Sequence, residues 1–219
     1  MRAALLFDLD GTLLHSDPLH AEVFAGLLAG HGIRLSDADY ARLVHGRSNA
    51  AVFADLLPGL DPVALSEAKE AAFRRRLGAS APPAPGLLAL LDRAEAQGLA
   101  LAVVTNAPAL NARAMLSAIG LGARFEVIVV EGDTPRGKPD PAPYLLALER
   151  LGTVAANCLA FEDSATGVTA AVAAGLATIG LRSSLGDAAL RAAGAALSID
   201  DFTDPALAPW LARLEGIPA

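Results

Sequence analysis

At 219 residues, 53 % hydrophobic and 19 % charged, the chain is long enough for one large domain or a core with a smaller insert, and too apolar for intrinsic disorder. Its formal net charge of −7 opposes nucleic acid and anionic membranes on average, while leaving room for a small anionic ligand in a local cationic pocket. The single cysteine, Cys158, excludes an intramolecular disulfide and, set in an apolar run, reads as a small buried hydrophobe.

Met1-Arg2 leads into a short apolar run closed by acids, which is not the pattern of a secretory signal, so a cytoplasmic protein is expected. The run 3–7 predicts a first strand. From 18 to 77 the chain reads as helices only, broken near 30–33, 45–48 and 58–61, and "GASAPPAPG" at 78–86 reads as a linker. Beyond it, oily runs at 99–104, 127–130, 159–161, 177–181 and 195–199 predict strands. Helical patterns follow or separate them at 86–97, 108–119, 141–151, 164–174, 186–193 and 205–215. The strands are apolar throughout rather than alternating, as in a parallel sheet covered on both faces. The uncharged window 164–181 has the length of a membrane span, but its glycines and threonines favour a helix followed by a strand. The expected fold is α/β, a doubly wound, Rossmann-like parallel sheet formed by 1–15 and 82–219, with an all-helical cap at 16–81 inserted after the first strand.

Ligands of such sheets gather at the carboxyl ends of the strands. Asp8 and Asp10 follow the first predicted strand, Thr105 and Asn106 the second, and Glu162 and Asp163 the fourth, while Lys138 precedes the helix at 141–151. Two neighbouring carboxylates repel by a few kcal/mol at an effective dielectric of roughly 20, and a divalent cation removes that penalty. With neither thiolate nor clustered imidazole nearby, oxygen donors point to Mg²⁺. A phosphoryl group between Mg²⁺ and Lys138 has its charge balanced from both sides, with the Thr105 hydroxyl and the Asn106 N–H as further donors. Asp8 is then the nucleophile, and Asp10 the general acid and then base. Asp163 and Ser164 also suit a helix cap. His20 reads either as a helix-face histidine or as a proton shuttle, and Arg47, in a glycine turn, as a contact to a substrate anion or a packing residue.

The segments "FDLDGTLLHSD", "VVTNAP", "RGKPDP" and "FEDSATGV" resemble, in order, the four motifs of the haloacid dehalogenase superfamily. The helical insert resembles the cap of its phosphoglycolate phosphatase and β-phosphoglucomutase-like branch. The resemblance implies an aspartyl-phosphate on Asp8, acid–base work by Asp10, and Mg²⁺ held by the Asp8 carboxylate, the Asp10 main-chain carbonyl and Asp163. Glu162 would be a nearby metal or water partner, and Thr105, Asn106 and Lys138 would bind the phosphoryl group. A second acid at Asp10 favours a phosphate monoester over a haloacid or a phosphonate. His20 resembles the sugar-phosphate mutases, but Arg47 stands inside its glycine turn rather than after it. Hydrolysis of a small phosphorylated metabolite is therefore expected, by a monomer or weak dimer. A β-phosphoglucomutase-type mutase and a phospho-accepting signalling module are the alternatives.

Overall fold

The computed structural model describes residues 2–44, 47–214 and 217. The chain divides into two compact units, Met1–His15 with Ala81–Ala219, and Ser16–Ser80. Strand β1 (Ala4–Phe7), buried at every position, opens the first unit. The chain then builds the second unit from α1 (Asp17–Ala29), α2 (Asp37–Leu43), α3 (Asn49–Leu56) and α4 (Pro62–Leu77).

Side-chain oxygens start three of these helices. Ser36 accepts from the Asp39 N–H at 3.2 Å, Ser48 from Ala51 at 3.3 Å, and Asp61 from Val63 at 2.9 Å. Each satisfies a backbone donor that the helix cannot, an effect of about 1 kcal/mol per cap. Phe24, Leu28, Val44, Val52, Phe53 and Leu57 form this unit's own apolar core. Of the break expected at 45–48, His45 and Gly46 lie outside the described residues, and Arg47 and Ser48 are non-helical.

The chain rejoins the first unit beside the point where it left. The Ala84 N–H donates to the Leu13 carbonyl at 2.8 Å. There follow α5 (Leu87–Ala96), β2 (Ala100–Val104), α6 (Ala109–Ala118), β3 (Val127–Val129), α7 (Ala142–Leu151), β4 (Cys158–Glu162), α8 (Ala165–Ala173), β5 (Ala177–Leu181), α9 (Asp187–Ala192), β6 (Leu197–Ile199) and α10 (Ala208–Ala212). The strands form one parallel sheet in the order β3-β2-β1-β4-β5-β6. Helices cover both sides. On one face Leu6, Ala102 and Ala160 pack with Tyr144, Ala147 and Leu148 of α7 and Ala170 and Ala171 of α8. On the other, Phe7 stacks on Phe161 with ring centroids 4.9 Å apart, flanked edge-on by Phe125 and Phe202. Such aromatic pairs add roughly 0.5–1.5 kcal/mol each beyond burial.

Several expected boundaries move. Strand β4 includes Glu162, whose backbone still pairs with Gly180, and β6 begins at Leu197 rather than 195. The helix expected at 205–215 is a 3₁₀ turn, Pro205–Leu207, followed by α10, and Glu215 lies outside the described residues. The uncharged window 164–181 is α8 and β5, divided at Gly175 with φ +83°. Among the described residues no helix is long and apolar enough to cross a membrane.

The sheet order decides where a ligand goes. From β1 the chain steps outward to β2 and β3, then returns to place β4 on the other side of β1. The crevice at this reversal opens beyond the carboxyl ends of β1 and β4.

Candidate active site

Asp8 and Glu162 stand at that reversal. The Asp8 N–H donates to the Phe161 carbonyl at 2.9 Å, so the ladder between β1 and β4 runs up to the residue whose carboxylate faces the crevice. The Thr105 N–H likewise bonds the Val129 carbonyl at 3.0 Å. Main-chain pairing thus fixes both residues before any side chain acts.

Lys138 reaches this edge from the loop before α7. Its Nζ lies 2.7 Å from Asp8 Oδ1 and 2.5 Å from Glu162 Oε1, with all three side chains buried. Burial alone would lower the Lys138 pKa, but the charges and hydrogen bonds of Asp8 and Glu162 outweigh it and keep the ammonium above its ordinary value. For Asp8, burial pushes the carboxyl well above 3.8, Lys138 opposes it, and Glu162, Asp163 and Asp10 add to the rise.

Asn106 holds the lysine loop by both of its main-chain groups. The Lys138 N–H donates to Asn106 Oδ1 at 3.0 Å, and Asn106 Nδ2 donates to the Lys138 carbonyl at 3.1 Å. A Cβ at Gly137 would come within 2.6 Å of Asn106 Oδ1, so only glycine allows this clamp. Sequence reasoning gave Asn106 a donor role through its N–H, and the structure adds this side-chain role. The Thr105 oxygen accepts from the Ala107 N–H at 3.0 Å.

Oxygens of Asp8, Glu162 and Asp163 lie within 4.8 Å of one another. Carboxylates at that separation repel by about 3 kcal/mol per pair at an effective dielectric of 20. Here one ammonium pairs with two of them, Asp8 and Glu162, and all three carboxylates are buried. The crowding of buried carboxylates, the all-oxygen donors and the absence of thiolate or imidazole from this group fit a hard divalent cation. Gly11 brings two of the loops together. It adopts φ +72°, and a Cβ there would stand 2.0 Å from Asp163 Oδ2. The Asp10 carboxylate is not a member of this group; the resemblance involves its main-chain carbonyl. Asp10 itself lies in the turn that follows, which the Gly11 N–H closes on the Leu14 carbonyl at 2.9 Å.

Three side chains escaped the sequence reading. Ser183 Oγ donates to Asp163 Oδ2 at 3.3 Å, and Ser184 Oγ bonds the same oxygen. These serines lie just beyond β5, after Arg182, so looking for polar residues after every strand would have found them. Tyr144 donates to Glu162 Oε1 at 2.6 Å. Burial, then the neighbouring Glu162 and Asp8 charges, hold its phenol well above the ordinary pKa, so it stays a donor. In sequence Tyr144 is one more apolar-face residue of a helix, and nothing marks it.

The other two expected site residues belong to the helical unit. His20 Nδ1 lies 2.8 Å from Lys69 Nζ, and its ring stacks on Phe73 at 4.1 Å. Lys69 is itself buried, 2.9 Å from Glu70 Oε1. Arg47 donates to the Leu43 carbonyl at 3.0 Å and pairs with Asp55 Oδ2 at 2.5 Å, which ties the end of α2 to α3.

The family described as haloacid dehalogenase-like hydrolase matches residues 3–175. A phosphoglycolate phosphatase of Rhodospirillum rubrum is 36 % identical, over 96 % of this chain and 91 % of that protein. The fructose-1-phosphate phosphatase YqaB of Escherichia coli is 31 % identical, over 82 % of this chain and 96 % of its own. Among solved structures, CbbY from Rhodobacter sphaeroides in complex with xylulose-(1,5)bisphosphate has a TM-score of 0.81 at 29 % identity, covering 93 % of this chain and 96 % of that one.

Proposed function

The chain belongs to the haloacid dehalogenase-like hydrolases, and on that premise we propose that it is a Mg²⁺-dependent phosphatase of small phosphorylated metabolites working through an aspartyl-phosphate. One observation carries the reading. A buried carboxylate at a strand end, Asp8, lies 2.7 Å from a buried ammonium and shares the crevice with the carboxylates of Glu162 and Asp163.

An Asp8 oxygen attacks phosphorus, forming the acyl phosphate bond as the ester P–O bond breaks. Asp10 gives its proton to the departing oxygen. Asp10, now ionised, takes a proton from water, whose oxygen attacks phosphorus, frees the Asp8 carboxylate and releases inorganic phosphate. Lys138 offsets charge on the phosphoryl oxygens. The Thr105 hydroxyl, whose oxygen accepts from Ala107, directs its proton to the same group, together with the Asn106 N–H. Asp8, Asp163 and the Asp10 carbonyl, with Glu162 alongside, would hold Mg²⁺, which would supply further positive charge there. The helical unit, with His20 and Arg47, selects the ester. The phosphatase names of relatives that span most of this chain support hydrolysis over mutase chemistry.

The test is phosphate release from phosphoglycolate, sugar phosphates and nucleotides, with Mg²⁺ and with chelator, for the parent and for Asp8→Asn. The expected result is many phosphates per chain, lost in chelator and in the variant. Release that survives either change overturns the mechanism. One phosphate trapped per chain points to a phospho-accepting module, and glucose-1,6-bisphosphate-dependent isomerisation of a sugar phosphate points to a mutase.

A further inference from the structure

Tyr144 sits in the first turn of α7, fully buried. Phenylalanine fills the same space, so the hydroxyl requires its own explanation. It donates at 2.6 Å to Glu162 Oε1, the oxygen that also receives Lys138 Nζ at 2.5 Å. The Tyr144 ring lies 5.2 Å from the same ammonium. Glu162 is confined from its other side as well. Ser164 Oγ donates to Oε2 at 3.4 Å, and a Cβ on Gly167 would stand 1.8 Å from that oxygen. The carboxylate is therefore wedged between α7 and α8, with one oxygen shared by a phenol and an ammonium.

A lysine ammonium is a point charge on a flexible four-carbon stem and does not fix its own direction. Groups that stabilise a developing charge must stand in place before the reaction, and a small displacement weakens them. Building on the phosphatase reading, we infer that Tyr144 is a positioning residue for phosphoryl transfer. Its hydroxyl fixes Glu162 Oε1, and that oxygen fixes the Lys138 ammonium beside Asp8. Tyr144 touches neither the ester nor the phosphorus. It acts only through Glu162.

The test is steady-state hydrolysis of p-nitrophenyl phosphate and phosphoglycolate at saturating Mg²⁺ by the parent, Tyr144→Phe, Glu162→Ala, the double variant and Asp8→Asn. Tyr144→Phe keeps the ring and so the packing. It is expected to lower kcat by roughly 10- to 100-fold, the usual cost of losing a partner one shell out, with KM changed by less than about threefold and the melting temperature close to the parent's. In the Glu162→Ala background the same change is expected to cost less than about threefold, because the oxygen that links Tyr144 to Lys138 is gone. A Tyr144→Phe kcat within about twofold of the parent, an additive double variant, or a loss that follows the melting temperature would overturn the inference. Asp8→Asn separates the two readings. If it is inactive while Tyr144→Phe is normal, only the role of Tyr144 falls. If it retains turnover, or the parent hydrolyses neither ester, the phosphatase reading falls and the inference with it.

Discussion

Asp8 is written in the sequence as an acid at the mouth of an apolar strand, and the structure shows what that position costs. Burial raises its pKa above 3.8, so the folded, cation-free protein binds the proton more tightly than the unfolded chain does. The corresponding contribution to stability is complete below about pH 4 and is lost as pH climbs through the raised folded value. A cation needs the ionised carboxylate, and its effect runs the other way. The rise in melting temperature on adding Mg²⁺ is therefore expected to grow as pH is raised above about 4. Thermal melts at fixed ionic strength check this, and an equal or larger shift at the acid end contradicts it. Lys138 shows the same gap between sequence and structure. Beside Pro139 it reads as an ordinary loop lysine, yet it is 8 % exposed and bonded to two buried carboxylates. Only its neighbours, 130 residues before it and 24 after it, set it apart from an ordinary loop lysine.

Elements place these residues through their ends. Helix α8 starts where Ser164 Oγ accepts from the Gly167 N–H at 3.0 Å, as its Ser-x-x pattern suggests. The glycine is harder to read. Alanine is favoured over glycine inside a helix by about 1 kcal/mol, so Gly167→Ala ought to stabilise an isolated α8. In the protein the added Cβ meets Glu162 Oε2 at 1.8 Å, a contact that something must yield to relieve. Steric overlap decides the sign. Gly167→Ala is expected to lower both the melting temperature and turnover, measured by thermal unfolding and phosphate release. A more stable, fully active variant would show that Glu162 does not approach the helix this closely. Strand and helix identities were legible because apolar runs and cap residues act locally. The extension of β4 through Glu162 was not, because a charged residue at the end of an oily run looks like the start of a loop until Gly180 pairs with its backbone.

At the scale of the molecule, the residues proposed to handle the phosphoryl group belong to Met1–His15 and Ala81–Ala219, whereas His20 and Arg47 belong to Ser16–Ser80. On the proposed division of labour, changes in the helical unit alter choice of ester and leave phosphate binding alone. His20→Ala and Arg47→Ala are expected to shift the ratio of kcat/KM for phosphoglycolate over fructose 1-phosphate by at least about threefold, with inhibition by inorganic phosphate unchanged. A constant ratio removes these residues from selection, and a changed phosphate inhibition constant ties them to the phosphoryl site. For Arg47 the structure supplies a competing duty, since its guanidinium already joins Leu43, Ala51 and Asp55.

The linear chain determined that a parallel sheet would form, that a helical stretch would interrupt it, and that acids, a threonine and a lysine would collect along one edge. Those features follow from hydrophobic period and from strand ends, which neighbouring residues suffice to set. Tertiary structure alone decided that Tyr144 and Lys138 meet on one oxygen of Glu162, that Asn106 clamps the lysine loop, and that Ser183 and Ser184 hold Asp163. Each of those contacts joins residues from separate loops or helices. Their geometry depends on how the elements pack, which no local pattern encodes.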